Sequence, residues 1–155
     1  MRRRRHVYRH HLFSRHVGAN RHSRVRGATP ARVRASPELQ SRARAFIRRE
    51  LQVFGWIARA ELAGEYLFAI VNTVDLKGPS GAAQDMIADM LGRENAQVFC
   101  HELAAWLASP FKSLREWDAC VQYGEVESPG EHEARSCKRR GRGRDAGGEA
   151  LPGRG

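Results

Sequence analysis

The chain is 155 residues long, 41% hydrophobic and formally +10 at pH 7, which provides apolar material for one domain and little more. No apolar run approaches the roughly 20 residues needed to span a bilayer, and no apolar stretch follows the opening arginines as a secretory leader requires. Three cysteines, an odd number without paired spacing, fit a reducing compartment better than secretion, with Cys120 and Cys137 expected as unpaired thiols.

The charge is unevenly placed. Residues 1–35 hold eleven arginines, five histidines and no acid; residues 36–127 hold nine basic and thirteen acidic side chains; residues 128–155 are again net basic. This partition predicts a disordered Arg/His-rich arm at 1–35, a helical bundle at 36–127 and a disordered Gly/Arg-rich tail at 128–155. In the first arm, apolar residues are too few and too scattered to bury a face against charge repulsion. Arg2, Arg3, Arg4, Arg5, Arg9, Arg15, Arg21, Arg24 and Arg26 are its candidate phosphate contacts. Guanidinium groups of this kind displace counterions from DNA or RNA without reading bases. The same run has the composition of a nuclear localisation signal.

Residues 36–127 read as an all-α bundle of four main helices and a short fifth. Ser36-Pro37 supplies an N-cap with proline at the first helical position. Leu39, Ala43, Phe46, Ile47, Leu51 and Phe54 then fall on one stripe, which Gly55 bends or ends. A second helix, about Ile57 to Val74, is expected to bury Leu62, Tyr66, Ile70 and Val74 along one line, widened by Leu67 and Val71. Leu76 to Gly81 contains a Gly-Pro pair and another glycine and reads as a turn. The third helix carries Met86, Ile87, Met90 and Leu91 and stops at Gly92. On the fourth, Val98, Phe99, Leu103, Trp106 and Leu107 share a face, and Ser109-Pro110 ends it because proline lacks an amide hydrogen and pushes Ser109 out of the α region. Ser113-Leu114-Arg115-Glu116 has the S-x-x-E form of a capping box. It starts a short helix that carries Leu114, Trp117, Val121 and Tyr123 inward.

No residue in the bundle reads as a catalyst. His101-Glu102 lacks the second histidine of H-E-x-x-H, because Ala105 occupies that position. Cys100 and His101 are adjacent on a helix and point about 100° apart, so they do not form a nucleophile and base pair. Phe99, Trp106 and Trp117 have the spacing of core residues.

The run from Leu91 to Tyr123 nevertheless resembles one family. Arg93, Phe99, His101, Glu102, Trp106, Ser109, Pro110, Phe111, Trp117, Asp118 and Tyr123 follow the order of the helical region of Topors, the topoisomerase I-binding, arginine/serine-rich RING-type ubiquitin ligase. The resemblance extends upstream through Phe46 to Gly55 and into Tyr8 to Gly18. It also implies a likeness to the PWI nucleic-acid-binding bundle, whose signature is replaced here by Ala45-Phe46-Ile47. A RING requires two zinc ions closed by thiolates and imidazoles, largely in Cys-x-x-Cys pairs. Cys100, Cys120 and Cys137 form no such pair, so zinc and a ubiquitin-conjugating enzyme are expected only through a RING outside this sequence, and no cofactor is expected on it.

The resemblance thus implies a fragment or RING-less relative of a ubiquitin transferase, whose helical region holds protein substrates or partners in the nucleus, and a role in conjugation of the modifier SUMO. The alternative is a non-enzymatic basic adaptor that holds nucleic acid or chromatin through its arms. Neither involves a membrane.

Overall fold

A computed structural model describes residues 1–15 and 27–124. Among the described residues it is an all-α domain of seven helices with one minimal strand pair. The helices are α1 (Arg2–Arg9), α2 (Pro30–Ala35), α3 (Pro37–Leu51), α4 (Ala60–Thr73), α5 (Ala82–Leu91), α6 (Arg93–Ala108) and α7 (Leu114–Cys120). Strands β1 (Ser14–Arg15) and β2 (Gln122–Tyr123) pair antiparallel, with Ser14 opposite Tyr123. The last five helices are those expected from the sequence. The first two lie in the segment expected to be a disordered arm.

The helix boundaries have local causes. Thr29 and Ser36 cap α2 and α3, each followed by proline, and the Ser36 hydroxyl accepts from the Leu39 amide at 3.2 Å. Gly92 joins α5 to α6 at φ +82°, a conformation that strains any residue with a Cβ. At α7, Ser113 Oγ accepts from the Glu116 amide at 3.2 Å. Glu116 returns the contact one residue early, accepting from the Lys112 amide at 3.2 Å. The capping box is therefore present in a shifted form.

Helix α3 is the hub. It packs on α2, α4 and α6, while α5 and α6 pack on each other. Phe46 of α3 meets Phe99 of α6 edge-on with ring centres 5.8 Å apart, and Trp106 meets Trp117 in the same manner at 6.1 Å. All five residues of the expected α6 stripe are buried. Arg42 closes the far end of this helix: its guanidinium donates to the carbonyls of Trp106 and Ser109 and lies over the Trp106 ring. A cation is favourable there because unpaired carbonyls accumulate at a helix C-terminus.

Three expectations need correction here. Helix α3 ends at Leu51 rather than near Gly55, although Phe54 is still buried, edge-on against Tyr8 at 4.7 Å. Leu62 and Tyr66 face outward, and Ala63, Leu67, Ile70 and Val71 form the buried side of α4. Nearly every residue from Leu62 to Val71 is apolar, so two faces satisfied the helical period. The smaller one, Ala63 with Gly64, allows close approach to Ile47 and Leu51. On α5, Ile87 and Leu91 are buried but Met86 is exposed.

Candidate functional site

Eight residues are too few for an isolated helix in water. Helix α1 also places arginines in its first turn, with no acidic residue and no side-chain cap, against the positive end of the helix dipole. It forms because one of those arginines is buried. Arg4 is 3% exposed, and its guanidinium reaches across the bundle. It grips Glu50 of α3 through Nε and Nη2, at 3.0 and 2.7 Å, and Glu102 of α6 through Nη1 at 2.9 Å. The Tyr123 hydroxyl also accepts from Arg4 and donates to Glu102 at 2.7 Å.

The second Glu102 oxygen accepts from the Ser14 amide at 2.8 Å, so both oxygens of this carboxylate are satisfied. Around this centre, Arg49 bridges Glu50 at 2.8 Å and Asp118 at 2.9 Å. Arg3 donates to the carbonyls of Asp118 and Val121 and lies against the Tyr123 ring. Three arginines and three carboxylates are balanced in one network, much of it shielded from water. Burial lowers the Arg4 pKa, but Glu50 and Tyr123 outweigh it, and the net shift is upward. The Tyr123 hydroxyl is also raised, chiefly by burial, so it remains a donor.

Arg4 is therefore removed from the set of phosphate-binding candidates: its hydrogen bonds are spent on Glu50, Glu102 and Tyr123. Arg3 is similarly committed to the end of α7. Arg2, Arg5 and Arg9 are exposed and are separated by three and four residues, which places them on one face of α1. Val7, Tyr8 and Arg4 occupy the opposite, buried face. The expectation of disorder is corrected over α1, where Glu50 and Glu102 neutralise the one arginine that must enter the core. Arg15 is exposed on β1. Arg21, Arg24 and Arg26 lie outside the described residues, as does the tail from 128 to 155.

The sequence held a signal for this network. Glu102 stands three residues after Phe99 and four before Trp106, and Glu50 lies between Ile47 and Leu51; each is a carboxylate on a buried stripe. A charge in such a place demands a partner. Its identity, Arg4, could not be deduced from spacing alone. His101 is also tied down, its Nε2 donating to the Ser14 carbonyl at 2.9 Å. Among the described residues no three His, Cys, Asp or Glu side chains are grouped to hold a metal ion, and no helix is long and apolar enough to cross a membrane.

Cys100 is a free thiol, 1% exposed, and burial pushes its pKa from 9.0 up to about 12. The folded state keeps this proton where the unfolded chain releases it. Stability from this site is fully present below pH 9.0 and is lost as the pH rises toward 12. Iodoacetamide at about pH 8 is thus expected to spare Cys100 in the folded chain and to modify it after unfolding. Rapid native labelling, located by peptide mapping, would refute its burial. Cys120 is not a free thiol, which corrects the expectation for that residue. Cys137 is outside the described residues.

Compared with protein-family models, curated proteins and solved structures, the chain matches none.

Proposed function

We propose that this chain is the helical, partner-binding region of a Topors-like RING-type ubiquitin ligase. The observation that carries this reading is the meeting of the three stretches on which the resemblance rests. Tyr8 packs on Phe54, Arg49 binds Asp118, and the Ser14 amide and carbonyl bind Glu102 and His101. Residues scattered over the sequence thus share one interior, as expected if the pattern records a fold rather than a coincidence of composition.

In this reading Glu102, Trp106, Trp117, Asp118 and Tyr123 are scaffold, and the chain itself performs no covalent step. Such a ligase acts by positioning: a RING holds the charged conjugating enzyme, and the helical region brings a substrate lysine within reach of the thioester. The corresponding site of action is the nucleus. The test is to read the native transcript upstream of the Met1 codon. An in-frame cysteine/histidine pattern of RING type is expected, and an in-frame stop immediately before Met1 would replace this reading with the second one.

The second reading is a nucleic-acid or chromatin adaptor, favoured by the exposed row of Arg2, Arg5 and Arg9. Over about 10 Å of helix, three guanidinium groups are held on one side, whereas a flexible arm would have to order them on binding. Replacing all three with alanine should leave melting unchanged and make the salt dependence of duplex DNA binding shallower by about 3 in log–log slope. An unchanged slope would eliminate α1 as a phosphate-binding element.

A further inference from the structure

A polar cleft of about 460 Å³ lies beside α6. Gln97 and His101, four residues apart on α6, line it. Phe13, Gln84 of α5 and Lys77 of the preceding turn line it as well. Phe13 is 44% exposed, although it is held edge-on against the His101 ring at 5.2 Å and 88°. His101 is in turn fixed by its bond to the Ser14 carbonyl. The Phe13 ring is therefore a positioned aromatic surface open to solvent.

The surrounding groups share a chemistry. The side-chain amides of Gln84 and Gln97 each offer donors and an acceptor in one plane, and Lys77 offers a cation. Among the described residues no hydrogen bond or ion pair engages the Gln84, Gln97 or Lys77 side chain, and Lys77 and Gln97 are exposed. A π-face, two unengaged amides and one ammonium match a nucleobase with its phosphate. The volume lies within the range of small-ligand sites. A base inside a duplex cannot present its face to Phe13, whereas a single strand can.

We propose that this cleft receives one base of single-stranded nucleic acid, stacked on Phe13, edge-bonded by Gln84 and Gln97, and with its phosphate near Lys77. The inference rests on the nucleic-acid reading of α1 only for the additional backbone contacts by Arg2, Arg5 and Arg9.

The test is fluorescence anisotropy of the full chain with a roughly 12-nucleotide labelled single strand and with a duplex of the same sequence. Phe13→Ala should weaken single-strand binding about 5- to 100-fold, leave the duplex within about twofold and preserve the salt slope. Phe13→Tyr should retain single-strand affinity because it keeps the π-face. Should Phe13→Ala disturb melting, exposed Gln97→Ala supplies the same comparison. Loss of affinity for both probes alike, or for neither, overturns the base site. If the single strand ignores Phe13→Ala and Gln97→Ala while the triple arginine variant weakens both probes, the base site falls and the phosphate reading of α1 stands. If the unaltered chain binds neither probe, both fall.

Discussion

Arg4→Ala is expected to destabilise the domain by roughly 3–5 kcal/mol, because Glu50 and Glu102 would remain buried without their cation. Both carboxylates are fully shielded, and Arg4 supplies hydrogen bonds to each. For a domain of this size the loss corresponds to a fall in melting temperature of about 10–20 °C. Helix α1 should loosen as well, since only buried Val7 and Tyr8 and the Arg3 bonds would then offset its short length and misplaced first-turn charge. Trypsin would then cut at Arg5 and Arg9 faster than in the unaltered chain. Two comparisons isolate the cause. Arg2→Ala removes an equal charge from the exposed face and should change melting very little. Adding Glu102→Gln to Arg4→Ala should recover part of the loss by removing one buried charge. If Arg4→Ala melted with the unaltered chain, the buried network would have to be abandoned, and Arg4 would return to the phosphate-binding candidates.

Trp106→Ala should cost a similar amount, about 3–5 kcal/mol, by a different mechanism. The indole is 1% exposed, meets Trp117 edge-on and donates from Nε1 to the Arg42 carbonyl at 3.1 Å. Its removal opens a cavity between α3, α6 and α7. It also leaves that carbonyl without the indole donor and deprives the Arg42 guanidinium of the ring beneath it. Trp106→Phe fills most of the space and should cost less. Trp56 is 65% exposed, and its replacement by alanine should change stability little. Urea unfolding of the three variants checks the order. Equal midpoints for Trp106→Ala and Trp56→Ala would show that the α6 stripe is not the core.

The two variants differ in what sequence could reveal. Trp106 lies on a stripe whose period is set by its own helix, and punctuation at Gly92 and Ser109-Pro110 marks both ends; local rules were sufficient. On α4 they were not. With apolar residues on almost every side, period alone could not choose between the Leu62–Tyr66 and Ala63–Leu67 faces, and packing chose the one with small residues opposite Ile47 and Leu51. Helix α1 escapes a reading by composition for a related reason. The composition around it, eleven arginines and no acid within residues 1–35, is that of a chain that repels itself. Composition weighs a segment alone, but Arg4 finds its counter-charges 46 and 98 residues away.

The sequence by itself determined the all-α class, the five helices from Pro37 onward and the large apolar core residues of α3 and α6. Each depends on interactions within a few residues: caps, breakers and the spacing of apolar side chains. Only the tertiary structure decided that α1 exists, that Arg4 is buried while Arg2, Arg5 and Arg9 remain outside, and that Phe13 stands beside an open polar cleft. These outcomes depend on which distant carboxylate or ring a side chain meets. A buried charge is tolerated only where the folded chain brings its partner to it.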